Sequence, residues 1–111
     1  QGPSRVVHGD YTLTSAPDRL RQLASPPGAN DTFAPLLEPG ATLVPDADAE
    51  RAIAEGRYAF INVWRSIADT PVCKTPLAIC DARSVPLDDI ITFEIQYADR
   101  VGENYLTRHS D

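Results

Sequence analysis

The sequence predicts a β-rich α+β fold, with a jelly-roll-like sheet and two short helices. Three observations predict it. Residues 58–65 and 89–97 are rich in β-branched and aromatic side chains in alternating order. Residues 15–24 and 46–55 carry helix start and stop signals. Residues 26–45 are rich in Pro and Gly and have no period, which marks a long surface loop or insertion. A chain of 111 residues suits one small domain with a modest core, spanning residues 1–111.

Each element has a local cause. Residues 5–12 form a β-prone run that passes into a polar turn. Ser15-Ala16-Pro17-Asp18 then opens a helix, with Ser15 as N-cap, Asp18 completing a capping box and Pro17 in the first turn. Leu20 and Leu23 give that helix a narrow apolar face, and Ser25-Pro26-Pro27-Gly28 ends it. The second helix, 46–55, is Ala-rich and closes at Gly56. In residues 58–65, Ala59, Ile61 and Val63 alternate with Phe60, Asn62 and Trp64, so both faces are largely apolar and the run reads as a buried central strand. By that reading Ile61→Ala costs about 2–5 kcal/mol. A further extended run covers 77–81, limited at its start by Pro76. Ser84-Val85-Pro86 makes a turn, and residues 89–97 form a strand with Ile91, Phe93 and Ile95 on one face. Arg100-Val101-Gly102 makes a second turn before a last strand over 104–109.

Composition narrows the function. The net charge is −6, with acidic residues scattered along the chain, which argues against nucleic acid or an anionic membrane as partner. No apolar run is long enough to span a bilayer. The chain has no Met and begins with Gln1, as expected of an internal piece or a processed product. Cys73 and Cys80 do not have zinc-site spacing, and a disulfide between them is not expected. Cys80, within Leu77-Ala78-Ile79-Cys80, reads as a buried small hydrophobe. A cytoplasmic location follows from this reading.

The chemistry centres on Val6-Val7-His8-Gly9-Asp10-Tyr11-Thr12. Residues two apart in a strand share a face, so one imidazole and one carboxylate can reach a single metal ion. His8 and Asp10 would supply two-thirds of the 2-His-1-carboxylate set that holds non-haem Fe(II) with open positions. The plainer reading is an exposed strand end with two polar residues. Tyr11 and Thr12 would support the pair from behind. His109 is the only other histidine and reads either as a third ligand or as a strand surface residue. Arg65 could grip a carboxylate bidentately, that of a cofactor or a substrate. Its plainer role is an ion pair with Asp81 or Asp69. Asn62 and Trp64 could line a substrate pocket, or Trp64 could be core. Asp81-Ala82-Arg83-Ser84 most simply bonds its own backbone.

Several pieces together resemble a family of fungal and bacterial hydroxylase/desaturases of secondary metabolism. It includes gibberellin desaturase-like proteins and 7-alpha-cephem-methoxylase subunit-like proteins, and some members carry the label methyltransferase. The matching pieces are Val7-His8-Gly9-Asp10-Tyr11-Thr12 and Ser15-Ala16-Pro17-Asp18-Arg19-Leu20, then Phe60-Ile61-Asn62-Val63-Trp64-Arg65. Pro76-Leu77-Ala78-Ile79-Cys80-Asp81-Ala82-Arg83-Ser84-Val85 and Asp99-Arg100-Val101-Gly102-Glu103-Asn104-Tyr105 follow in matching order and spacing. The resemblance spares residues 26–45.

The resemblance implies a partial double-stranded β-helix, a fold that needs about eight core strands, of which this chain would supply five. It implies Fe(II) and 2-oxoglutarate as cofactors, with His8 and Asp10 as metal ligands and hydroxylation or desaturation of a small molecule as the reaction. Family members supply a distal His and a 2-oxoglutarate-binding Arg in later segments, so the isolated chain is expected to be incomplete and a poor enzyme. The rival expectation is a non-catalytic accessory or binding subunit that keeps the fold. A protein partner or homo-oligomer is open under either. No G-x-G loop for a nucleoside cofactor is present, which weighs against a methyltransferase.

Overall fold

A computed structural model describes residues 4–28, 31–98 and 100–109. It is mixed α+β, with a three-stranded antiparallel sheet and two helices among the described residues. The chain divides into two compact units, residues 11–59 and residues 1–10 with 60–111. No helix among the described residues is long and apolar enough to cross a membrane.

The helical unit contains α1 (Ser15–Leu23) and α2 (Asp46–Glu55). The cap of α1 lies three residues before the expected one. The Thr12 hydroxyl accepts from the Ser15 backbone N–H at 3.0 Å, and the Ser15 hydroxyl accepts from the Thr12 N–H at 2.8 Å. Ala16 N–H already bonds to the Thr12 carbonyl at 3.0 Å. This is a capping box with Ser in the place usually taken by Glu or Gln, so Ser15 is the return partner and not the N-cap. It also gives Thr12, only 4% exposed, a structural role in starting the helix.

The end of α1 is closed from a distance. The N–H groups of Leu43 and Val44 both donate to the Leu23 carbonyl, at 3.1 and 3.2 Å, satisfying a helix-end acceptor. The 26–45 segment is thereby tied down at its far end. In its middle the Asp31 carboxylate receives Arg19 at 3.1 Å and the Phe33 N–H at 3.1 Å, ahead of a short 3-10 turn at Ala34–Leu36. Helix α2 ends as expected at Gly56, whose φ of 65° is left-handed and suits a residue without Cβ. Among the described residues, Leu20 of α1 and Ala49 of α2 are the buried apolar residues of this unit. Arg21 adds a cross-helix bond to Glu50 at 2.9 Å.

The sheet unit contains β1 (His8–Gly9), β2 (Ile90–Gln96) and β3 (Val101–Thr107), in the order β1-β3-β2. β2 and β3 form a hairpin in which Phe93 faces Asn104 and Ile95 faces Gly102. β3 begins at Val101, three residues before the expected start at Asn104. Tyr97 N–H donates to the Arg100 carbonyl at 2.9 Å, and the Arg100 guanidinium lies 4.5 Å from the Tyr97 ring centre. Val101 and Gly102 therefore already belong to β3. Asp99, within one of the motifs above, lies outside the described residues.

Two expected strands are absent among the described residues. Residues 58–65 are irregular, and Ile61 and Val63 are 82% and 89% exposed. Apolarity on both faces signals burial only if neighbours pair the edges and cover the faces. Here β3 spends both its edges on β1 and β2, and residues 58–65 join no ladder. The expected 2–5 kcal/mol loss for Ile61→Ala has no structural basis in this arrangement. Residues 77–81 are likewise irregular and exposed, after a proline that lacks the N–H a ladder needs. Cys80 is exposed and not buried, and both cysteines are free thiols. In place of a simple turn at 84–86, two 3-10 turns, Ala82–Ser84 and Leu87–Asp89, lead into β2.

Candidate functional site

The site grows from the register of β1 on β3. His8 pairs with Leu106 and Gly9 with Tyr105. The chain leaves the ladder at Asp10, but the i, i+2 relation still brings the two side chains together. His8 Nε2 lies 3.4 Å from Asp10 Oδ1. One ion bonded at about 2.0–2.2 Å to each atom could bridge that gap.

The surrounding hydrogen bonds orient both groups. His8 Nδ1 lies 3.1 Å from the Val6 carbonyl oxygen. A carbonyl only accepts, so Nδ1 carries the proton, and in the neutral ring Nε2 presents a lone pair. That lone pair faces a carboxylate oxygen, which also only accepts. A proton on Nε2 or a cation between the two atoms satisfies both. The other Asp10 oxygen, Oδ2, accepts from the Asn62 amide at 2.9 Å. The Asn104 amide, turned to suit its neighbours, donates to the Asp10 main-chain carbonyl at 3.0 Å. Asn104 and the Val6 carbonyl escaped the sequence reading. Asn104 could have been noticed within Glu103-Asn104-Tyr105, and a main-chain oxygen leaves no sequence signal.

A cavity of about 800 Å³ adjoins the pair. Its lining includes His8, Asp10, Asn62, Trp64 and the apolar side of residues 76–80. The structure thus gathers His8, Asp10, Asn62 and Trp64 at one place. Trp64 is 53% exposed, so it is not a core residue. Thr75, also on the lining, holds φ at 46°, a strained conformation for a β-branched residue.

Arg65 is exposed and lies outside that lining. The ion pair expected for it with Asp81 is not formed, because Arg83 takes that carboxylate through two bonds of 3.0 and 2.8 Å. The Arg83 side chain, and then its backbone N–H, hold the Asp81 carboxyl below its ordinary value. Tyr11 and Thr12 belong to the helical unit. His109 is not part of a ligand cluster: no group of three or more His, Cys, Asp or Glu is arranged to hold a metal among the described residues. The donors present, one oriented imidazole and one oriented carboxylate, fit two positions of an Fe(II) ligand set.

Comparison with known proteins gives the family. Residues 40–111 match the family model described as an oxidoreductase/YMDC permease-like domain. An uncharacterized protein in the dcmA 3' region of Methylophilus leisingeri is 47% identical over 68 residues, covering 60% of this chain and 32% of that protein. The hydroxylase/desaturase CTB9 of Cercospora beticola is 34% identical over 90 residues, covering 81% of this chain and 21% of that protein. The chain therefore spans about a third and a fifth of the length of these relatives. No solved structure matches. The family description names an oxidoreductase-like domain, and CTB9 is named a hydroxylase/desaturase. The chain belongs to the oxidoreductase/YMDC permease-like domain family.

Proposed function

We propose that this chain contributes the first two metal ligands, His8 and Asp10, of a non-haem Fe(II)/2-oxoglutarate-dependent oxygenase that hydroxylates or desaturates a small secondary metabolite. The supporting observation is the 3.4 Å convergence of His8 Nε2 and Asp10 Oδ1, each held by a bond on its far side. When bound, the iron with its 2-oxoglutarate would supply the oxidising chemistry. The chain's own residues do the positioning. The Val6 carbonyl keeps the His8 proton on Nδ1 and so leaves Nε2 available. Asp10 supplies the negative charge. Trp64 and the apolar side chains of 76–80 would exclude water from a small organic substrate, and Asn62 adds a polar group to the same wall.

The third ligand and the group that grips the 2-oxoglutarate carboxylates are not assigned to this chain. Arg65, outside the cavity lining, is a weak choice for the second role. The double-stranded β-helix, and the narrower likeness to gibberellin desaturase-like and cephem methoxylase subunit-like proteins, belong to this reading as its expected wider setting.

Titration of the 111-residue chain with Fe(II) or Co(II) tests the reading. Weak binding that is lost in His8→Ala and in Asp10→Ala is expected, with little succinate formed from 2-oxoglutarate in the presence of Fe(II) and ascorbate. Metal binding indifferent to both substitutions would remove the site and favour the accessory-subunit reading. Robust succinate formation abolished by His109→Ala would make His109 the third ligand.

A further inference from the structure

We propose that Asn62 is the positioning residue of the His8–Asp10 pair, holding Asp10 Oδ2 so that Oδ1 faces His8 Nε2; as a statement about metal binding, this rests on the function proposed above. A carboxylate has two equivalent oxygens and turns freely about its last bond. The 2.9 Å bond from Asn62 Nδ2 removes that equivalence. One oxygen is occupied by a donor, and the other is left 3.4 Å from the imidazole nitrogen. Asn62 suits the task because its amide donates at every pH and brings no charge to compete with a cation.

The bond also spans a long stretch of chain. Asp10 and Asn62 are 52 residues apart, and Asn62 sits in a segment that joins no strand ladder. Such a segment can present a side chain to the pair without being part of the sheet. Asp10 is thereby held at both ends, its main-chain carbonyl by Asn104 and its carboxylate by Asn62. Ordering a ligand before the ion arrives lowers the entropy lost on binding, and loss of such an orienting partner typically weakens a metal site by about 10–100-fold.

The test has two readouts on the full chain. In the metal-free protein, the side-chain amide resonances of Asn62 should show a hydrogen-bonded proton that is lost in Asp10→Ala. In Co(II) titration, Asn62→Ala should bind about tenfold more weakly than the parent or worse. Ile61→Ala, at an exposed neighbour, should bind as the parent does, and both variants should keep the parent circular dichroism spectrum. Co(II) affinity unchanged in Asn62→Ala, or Asn62 amide resonances unchanged by Asp10→Ala, would overturn the proposal. If the parent chain binds no Co(II), the metal reading fails by itself. The Asn62 amide spectrum then still decides whether Asn62 holds Asp10.

Discussion

Asp10 and Asp81 show how one residue type takes two roles through its neighbours. Asp10 meets an imidazole nitrogen and a neutral amide, with no fixed cation bonded to it in the described contacts. Asp81 is closed by Arg83, through the side chain and the backbone N–H. That closure holds the Asp81 carboxyl below its ordinary value of 3.8. A group with a lowered folded value contributes stability above its unfolded value, and loses it as pH falls through the lowered one. The 82–84 turn should therefore keep its Arg83 bond at neutral pH and lose it in acid, below 3.8. Carbon NMR titration of Asp81 checks this: in Arg83→Ala its midpoint should rise toward the ordinary value. An unchanged midpoint would mean that the pair does not persist in solution. At this scale the sequence was partly legible. The His8–Asp10 spacing carried its own geometry, and the Asp81 turn was read as local. The supports of His8 and Asp10 were not legible, because they come from a main-chain oxygen and from two amides brought in by the fold.

At the scale of elements, the helices obeyed local rules and the strands depended on neighbours. α2 ran from Asp46 to Glu55 and stopped at Gly56, as its sequence requires. For α1 the hydroxyls of Thr12 and Ser15 shared the cap that Ser15 was expected to provide alone. Residues 58–65 show the opposite case. Their alternation is real, but strand formation needs partners, and residues 58–65 pair with none of the three described strands, of which the central β3 already has both edges occupied. A paired prediction follows. Leu20→Ala removes a side chain that is 7% exposed between the helices and should cost about 2 kcal/mol. Ile61→Ala, at a site 82% exposed, should change stability by less than about 0.5 kcal/mol. Denaturant titration of both variants tests the assignment, and the reverse order would restore 58–65 as a core strand. The hairpin offers another test. A Cβ built on Gly102 would lie 3.0 Å from the Tyr97 ring, so Gly102→Ala requires that ring to give by a few tenths of an ångström. A loss of about 1 kcal/mol is expected, with a change in the Tyr97 ring resonances.

For the whole molecule, the two units differ in how they are held. The helical unit has buried residues at Leu20, Ala49 and Thr12, whereas the described sheet unit has its apolar side chains half-buried or exposed. The oxidoreductase-like family and the α+β class were legible in motifs and periodicity, because both are carried by short local patterns. The extent of the sheet was not, since it depends on which segments meet. As proposed above, His8 and Asp10 form one metal-binding pair, with each far-side atom held in place. Anomalous diffraction at the cobalt edge from crystals of the chain grown with Co(II) tests that claim most directly. One peak is expected about 2.0–2.2 Å from both His8 Nε2 and Asp10 Oδ1, and absent in Asp10→Ala crystals. A structure with His8 and Asp10 bonded directly to each other, and cobalt only elsewhere or nowhere, would contradict it.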